Sequence, residues 1–330
     1  MKKALILLLL ASLMLSACVG TPSVETQEPS DGEDTLIVVG IIQVGAESDW
    51  RIANTESMKS QFTEENGYRL LFEDARQKQE NQVLAMRKFI QQQVDYIILL
   101  PIGEFGWDSV LQDARDAGIP VIIVDRMVSV DDDSLFSAHV GSDFYRQGLM
   151  ATDWMEQEFA QREKLNIVHI TGTLESTAQI GRTRALEEAV AAHPGWTILA
   201  QMDGDFTQPK AYSAMNEYLD VHPAGTPIDV VYCENDNEAF GAIDALEEHG
   251  YVCGEDVQVI SFDATRGCLQ LCMEGKISLA VECNPLLGPL AGELIQMMED
   301  GQTPDKYNYV PEQCFTAHIL SEELILSRGY

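Results

Sequence analysis

Residues 36–45 read LIVVGIIQVG, a β-branched and apolar run that is broken by glycine. Such a run predicts a buried strand, and the helical spacing from 49 to 66, with Gly67 as a stop signal, predicts a helix directly after it. The same order recurs, with strands predicted at 68–73, 96–100 and 121–124 and helices at 80–93 and 107–117. Strands that alternate with helices through short connections predict a parallel sheet covered on both faces.

A second series of the same kind begins near Asp143 with a helix predicted to about residue 163. Strands are then predicted at 166–171, 197–202, 230–233 and 257–262, and helices at 178–192, 210–221, 239–249 and 267–273. No sequence repeat relates the two series. The folded part, about 295 residues, is too long for one typical core. We therefore predict an α/β protein of two doubly wound parallel-sheet lobes.

The first residues are typical of a secretory signal. Met1-Lys2-Lys3 gives a basic start, and the apolar stretch after it is shorter than the roughly 20 residues of a spanning helix. Leu15-Ser16-Ala17-Cys18 resembles the lipobox of bacterial lipoproteins. We predict a signal peptide at 1–17, a lipidated Cys18 and an acidic tether at 18–35. The protein is then exported and lipid-anchored to the outer face of the cell membrane or on the periplasmic side.

Charge and motifs argue against several classes of function. The chain has 53 acidic and 21 basic residues, a formal charge of −32, which is a poor surface for nucleic acid. A sugar-responsive repressor would need a basic helix-turn-helix where the signal sequence stands. The sequence has no GxGxxG, no phosphate loop and no GxSxG elbow, so we do not expect an enzyme.

Six cysteines besides Cys18 lie in the second half: Cys233, Cys253, Cys268, Cys272, Cys283 and Cys314. An even number outside the cytoplasm permits disulfides, but the sequence does not determine their connectivity, so buried free thiols and one disulfide both stay open. No CxxC pair and no ligand spacing of histidines occurs, and we expect no metal and no cofactor. His139 and His169 lie in apolar strands and are expected to be core residues.

Ligands of open parallel sheets bind beyond the carboxyl ends of the strands. The residues that follow the predicted strands are rich in Asp, Asn, Arg and aromatic side chains. Planar Asp, Asn and Arg groups can hold pairs of sugar hydroxyls, and an aromatic ring can stack on the C–H face of a sugar. The pattern favours capture of a small sugar.

Four motifs, in order, carry a family resemblance: IIVDR at 122–126, GRTRAL at 181–186, CEND at 233–236 before FGA at 240–242, and ISFD at 260–263. Together they resemble the ribose-type periplasmic binding proteins of ABC sugar importers, over residues 36–330. Segments 43–51, 77–82 and 204–207 most resemble the galactofuranose-binding members. The resemblance implies a type I periplasmic binding protein fold, with one lobe at 36–142 plus 283–311 and the other at 143–282 plus 312–330. Three crossings near Ser142, Cys283 and Pro311 would form the hinge.

The resemblance also implies roles for single residues. Trp50 would stack on the sugar with Arg51 beside it, while Asp125 and Arg126 grip adjacent hydroxyls. The second lobe would close with the following residues: Arg182, Asn235, Asp263, Phe206 as an apolar wall, and Glu282 near the hinge. Gln43 and Asp74 are further candidates. Two departures from the family pattern occur, at 207–210, where relatives tend to carry a basic residue before the lysine, and at Ala185-Leu186, where Gly-Phe is usual.

Each candidate also has a structural alternative. Trp50 and Phe206 can be core residues, Asp125 and Arg126 a structural ion pair, Asn235 and Asp263 helix N-caps, and Glu282 an edge residue. For the whole protein we expect a monomer that captures a monosaccharide, galactofuranose being favoured, by lobe closure and delivers it to an ABC importer permease. A sensor that acts on a membrane receptor is the alternative.

Overall fold

Two six-stranded sheets organise residues 36–222 and 227–330, the part of the chain that the computed structural model describes. The predicted signal peptide, lipidated Cys18 and tether lie outside these residues. Among the described helices, none has the length and apolar character needed to cross a bilayer.

The elements follow one another largely as alternating strands and helices. The first lobe opens with β1 (Ile37–Gln43), α1 (Asp49–Gln61), β2 (Tyr68–Asp74), α2 (Gln79–Gln91), β3 (Tyr96–Leu99), α3 (Asp108–Asp116), β4 (Val121–Val124) and β5 (Ala138–Gly141). The second lobe continues with α4 (Phe144–Glu158), β6 (Leu165–Thr171), α5 (Thr177–Ala192), β7 (Trp196–Asp203), α6 (Gln208–Val221), β8 (Val230–Cys233), α7 (Asp236–Glu248), β9 (Gln258–Asp263), α8 (Arg266–Met273) and β10 (Leu279–Glu282). The chain ends with α9 (Gly288–Glu299), β11 (Tyr307–Tyr309), β12 (Cys314–Phe315) and α10 (Glu322–Ser327).

The first sheet has the order β11-β5-β4-β3-β1-β2 and is parallel throughout. The second has the order β12-β10-β9-β8-β6-β7, parallel except for the short edge strand β12. Strands that are buried on both faces explain the unbroken apolar runs. In β1, Val39 and Ile41 pack with Met58 of α1 in one core, while Ile42 packs with Phe89 of α2 in another.

Three passages of the chain join the lobes. One lies between β5 and α4, one between β10 and α9, and one between β11 and β12. Two six-stranded, mainly parallel sheets joined in this way confirm the predicted fold class, a type I periplasmic binding protein fold. The predicted residue bounds of the two lobes stay a prediction.

The predicted elements agree with the observed ones to within a few residues at most ends. Two predicted helices are too long by about five residues: that at 49–66 ends at Gln61 and is followed by a 3₁₀ turn at Glu64–Asn66, and that predicted to about 163 ends at Glu158. The sequence analysis gave no residue bounds for six elements: β5, β10, α9, β11, β12 and α10.

Candidate functional site

A cavity lies between the two lobes, at the carboxyl ends of both sheets. Eight of the eleven predicted ligand-binding residues line it: Trp50, Arg51, Asp125, Arg126, Arg182, Phe206, Asn235 and Asp263. Hydrogen bonds between the lobes close its rim, from the Asp49 amide to Asn237 Oδ1 (3.0 Å) and from the Met127 amide to Thr177 Oγ1 (2.8 Å). The cavity is therefore seen in a closed arrangement of the lobes.

The first-lobe wall is a network of buried charges. Ser48 caps α1 by accepting the Arg51 amide, which sets Trp50 and Arg51 in the first turn of that helix. Arg51 bonds Glu47 Oε1 through Nε (2.9 Å) and Asp125 Oδ2 through Nη2 (2.8 Å). Arg126 Nη2 lies 3.7 Å from Glu47 Oε1 and its Nη1 donates to the Ile102 carbonyl (3.0 Å).

The pKa values of this wall follow from burial and pairing. Burial is the largest influence on Glu47 and opposes ionisation, but Arg51 and Arg126 outweigh it and leave the pKa below that of an ordinary glutamate. Burial also acts to lower the pKa of Arg51, but Glu47 and Asp125 raise it overall. In Arg126, burial and then the charge of Arg51 lower the pKa. Pairing thus favours the ionised forms of Glu47 and Arg51.

Two buried atoms of this wall, Glu47 Oε2 and Arg51 Nη1, have no hydrogen-bond partner among the described residues. One is an acceptor and the other a donor. A buried polar atom without a partner costs free energy, so such atoms mark places where a ligand or water completes the bonding.

Apolar rings close the cavity across the lobe boundary. Trp50 packs in one buried cluster with Phe144, Ala178, Phe206 and Cys283. The Trp50 indole donates to the Cys283 carbonyl (2.7 Å), and the Arg51 guanidinium lies 4.7 Å from the centre of the Trp50 ring. Arg126 from the first lobe lies 5.2 Å from the centre of the Phe206 ring of the second. Trp50 and Phe206 are therefore shielded from bulk solvent, as core residues are, and also line the cavity.

Arg182 in α5 is the arginine of the second-lobe wall. Its Nε and Nη2 donate to Gln147 Oε1 (3.0 and 2.8 Å), and its Nη1 donates to the Glu234 carbonyl. The nearest carboxylate, Asp263, is 3.7 Å away. Burial raises the pKa of Asp263 well above its ordinary value, although Arg182 opposes this.

The two N-cap alternatives have different outcomes. Asn235 does cap α7 in a full capping box, since its Oδ1 accepts the Glu238 amide (2.8 Å), and its Nδ2 donates to the Phe206 carbonyl (3.1 Å). The cap of α8 is Thr265, so Asp263 is not a helix cap. The Asp263 carboxyl group instead faces Arg182 and the cavity.

Three lining residues have backbone angles that L-residues rarely adopt: Asp125 (φ 66°), Phe206 (φ 59°) and Asp263 (φ 104°). Strained residues persist where their surroundings hold them, often at ligand sites. His139 Nε2 donates to the Asp125 carbonyl (2.9 Å), and a Cβ at Gly172 would lie 2.0 Å from the Phe206 ring. The core histidine and the glycine thus help to hold two of these positions.

Three predicted residues lie outside the cavity. Gln43 at the end of β1 bonds Asn54 and Thr55 and anchors α1. Asp74 is the last residue of β2, an edge strand of the first sheet, and accepts the Arg76 amide (2.7 Å). Glu282 accepts from Arg328 Nη1 (2.7 Å) and the Tyr330 hydroxyl (3.1 Å) near the hinge. Their side chains serve internal contacts, so we remove them from the candidate site.

Five lining residues were not predicted: Glu47, Ser48, Phe144, Ala178 and Cys283. Glu47 is the one with a sequence signal, because it is an acid four residues before Arg51 in the loop that follows β1. Phe144 and Ala178 lie in the first turns of α4 and α5, where they resemble ordinary apolar helix residues in sequence.

The structure shows, for the described residues, the state of the cysteines and whether side chains cluster as metal ligands. The six cysteines are all free, and five of them are buried, so the thiol alternative applies and not the disulfide. Within 36–222 and 227–330, no group of His, Cys, Asp and Glu side chains could hold a metal ion.

Comparison with known proteins places this fold and cavity in a family. Residues 39–303 match the model of the periplasmic binding protein domain. The chain is 35% identical to the galactofuranose-binding protein YtfQ of Escherichia coli, over 87% of this chain and 90% of that protein. The chain belongs to the periplasmic binding protein family. The predicted family is therefore confirmed, and the protein is a solute-binding protein and not an enzyme.

Two solved structures are similar throughout. A Mycobacterium smegmatis protein in complex with β-D-fucofuranose has a TM-score of 0.81 and 38% identity, covering 86% of this chain and 92% of that one. The binding protein of the arabinose ABC transporter of Shewanella sp. ANA-3, bound to L-arabinofuranose, has a TM-score of 0.81 and 36% identity, covering 85% and 92%. Family membership implies a location outside the cytoplasm.

Proposed function

We propose that this protein captures a neutral monosaccharide in its furanose form between the two lobes and delivers it to an ABC importer. Galactofuranose is the ligand we favour. The observation that carries the proposal is the cavity between the lobes, in which charges of both signs are buried together with aromatic rings.

The mixture of buried donors and acceptors in the cavity supports a neutral ligand with hydroxyl groups. Three arginines, Arg51, Arg126 and Arg182, share the cavity with three carboxyl groups, those of Glu47, Asp125 and Asp263. Each arginine has a carboxylate within 4 Å. A sugar hydroxyl, which donates and accepts, can use Arg51 Nη1 and Glu47 Oε2 without changing the net charge.

The arrangement of the cavity walls supports a sugar ligand. Trp50 and Phe206 offer apolar faces on opposite lobes, and polar groups lie around them. The furanose preference rests on the relatives, whose names and bound ligands include galactofuranose, fucofuranose and arabinofuranose.

Ligand-driven closure is the mechanism that these contacts favour. Trp50, Arg51, Asp125 and Arg126 belong to one lobe and Arg182, Phe206, Asn235 and Asp263 to the other. A ligand that bonds both walls binds the closed form better than the open form and shifts the equilibrium accordingly. The importer would recognise the closed form, and the predicted lipid on Cys18 would keep the protein at the membrane.

Isothermal titration of the purified protein with separate sugars tests the proposal. The panel is galactofuranose, arabinose, fucose, ribose, galactopyranoside and glucose, together with galactose 6-phosphate as the charged counterpart. We expect one furanose to bind and to stabilise the fold by about 3 to 4 kcal/mol at 100 to 1,000 times its Kd. Binding of the phosphate ester alone, or of no sugar, would contradict the neutral-furanose proposal.

A further inference from the structure

Gln147 lies behind the second-lobe wall and does not line the cavity. It is the fourth residue of α4 and is fully buried. Its Oε1 accepts both Nε and Nη2 of Arg182 (3.0 and 2.8 Å). Two bonds to one oxygen fix the plane of the guanidinium, which a single bond would leave free to turn. The direction in which Arg182 presents its remaining donors to the cavity therefore depends on Gln147.

The amide nitrogen of Gln147 points the opposite way, toward the hinge. Its Nε2 donates to Glu312 Oε2 (2.7 Å) and to the Glu282 carbonyl (3.1 Å). One side chain thus connects a cavity arginine with the second and third passages between the lobes, while its own helix begins directly after the first.

Glu312 joins all three passages. Its Oε1 accepts the Ser142 hydroxyl (2.6 Å) from the first passage and the Asn284 amide (3.1 Å) from the second, and Glu312 itself lies on the third. Together with Gln147, three donors converge on one carboxylate. Each passage must change its backbone angles when the lobes open, so bonds that cross between passages depend on the lobe arrangement.

We propose that Gln147 and Glu312 form a hinge node that orients Arg182 for the ligand and couples the occupied cavity to the three passages between the lobes. This inference rests on the proposed function. Gln147 is a positioning residue that acts through Arg182, and Glu312 is its anchor. Ligand contact with Arg182 then stabilises the same set of bonds that holds the hinge closed.

Hydrogen exchange of the ligand-free full chain tests the node without any sugar. The Asn284 amide bonds Glu312 Oε1, so its exchange rate reports the node directly. Glu312→Gln turns an acceptor oxygen into an NH₂ group that faces donors, and we expect exchange at Asn284 to rise about tenfold or more. An unchanged rate in Glu312→Gln and in Gln147→Leu would overturn the node, whatever the protein binds.

A double-mutant cycle with the sugar that binds the wild type tests the coupling to the cavity. Gln147→Leu should raise Kd about 10- to 100-fold, as expected for lost bonds to a charged group. In an Arg182→Met background the same change should alter Kd less than about twofold, because Gln147 has no arginine left to orient.

A matched control is Gln258→Leu, which removes two hydrogen bonds at the amino end of β9, the end of the sheet away from the cavity. It should leave Kd unchanged. Equal effects of Gln147→Leu with and without Arg182 would refute the positioning role. A wild type that binds no sugar would instead defeat the proposed function, and the exchange experiment would still decide on the node.

Discussion

The two walls of the cavity hold their arginines in different ways. In the first lobe, Arg51 makes ion pairs of 2.8 and 2.9 Å with two carboxylates and keeps Nη1 without a partner. In the second lobe, Arg182 is held by a glutamine oxygen and a backbone carbonyl, and its nearest carboxylate is 3.7 Å away. The two guanidinium groups are buried to the same depth, but the hydrogen-bond acceptors of Arg51 are carboxylates and those of Arg182 are neutral oxygens.

This difference has an energetic consequence. Removal of one partner from a buried ion pair leaves a buried charge without compensation. Removal of an arginine from neutral acceptors leaves unpaired oxygen atoms, and their burial costs less free energy than that of a charge. Substitutions in the first wall should therefore lower both the stability of the fold and the affinity for the ligand. The second wall should affect binding more than folding, because its geometry comes from backbone groups and the hinge.

The largest expected effect is that of Arg51→Met. The substitution leaves Glu47 and Asp125 buried without their main partner, and we expect a loss of about 3 to 5 kcal/mol in the free energy of unfolding, together with loss of sugar binding. Urea titration followed by circular dichroism measures it.

Arg182→Met is the matched comparison for Arg51→Met, since its bonds end on neutral acceptors. We expect it to cost about 1 to 3 kcal/mol in stability. Equal losses for the two arginines would remove the distinction between the walls.

Asp125→Asn should have the next largest effect, a loss of about 1.5 to 3 kcal/mol in sugar affinity, because the charged acceptor for Arg51 and for hydroxyls is gone. Asparagine tolerates the left-handed angle at this position (φ 66°), so the fold should persist. Titration calorimetry checks this, with the exposed Asp113→Asn as the control that leaves Kd unchanged. Wild-type affinity in Asp125→Asn would place Asp125 among the purely structural residues.

Asp263→Asn probes the second wall through pH. Burial raises the pKa of Asp263, so the folded state holds its proton above the pH at which the unfolded chain releases it. The stability that this group contributes is complete below the unfolded pKa, near 3.9, and is lost as pH rises through the folded pKa. The wild type should therefore lose stability relative to Asp263→Asn as pH rises above about 4, by at most about 1.4 kcal/mol per pH unit. Parallel stability curves for the two proteins would show that Asp263 ionises normally.

A secondary-structure element could be predicted from the sequence when its residues form a local pattern of apolar and polar positions. The run at 36–42 and the other buried strands were predictable because a fully buried parallel strand requires an unbroken apolar run. The strands β11 and β12 have three and two residues, and β11 is largely exposed, so no apolar pattern identifies them. Only pairing with a strand far along the chain, such as β11 with β5, makes them part of a sheet.

The residues of the candidate site also fall into those that a local pattern predicts and those that it does not. Residues that follow central strands, such as Asp125 and Asp263, were predictable from the rule that ligands bind at carboxyl ends. Asp74 obeys the same rule in sequence but ends an edge strand, and the strand order cannot be read from the chain. Glu47 has one sequence signal, its position four residues before Arg51, and in a strongly acidic protein that spacing alone does not single it out from solvated acids. Phe144, Ala178 and Cys283 are buried together with Trp50 and Phe206, and nothing in the sequence distinguishes them from other buried apolar residues.

The smallest expected effect is that of Trp50→Phe, which tests whether the first wall is tied to the hinge as the second is. The ring and its cavity face are kept, but the indole bond to the Cys283 carbonyl (2.7 Å) is lost. We expect sugar affinity to fall by about 0.5 to 1.5 kcal/mol, the usual net value of one buried hydrogen bond. Trp196→Phe is the control, since Trp196 packs on His193 at the amino end of β7. If Trp50→Phe binds as tightly as the wild type, the hinge takes no part in the first wall, and the coupling between cavity and hinge belongs to the second lobe alone.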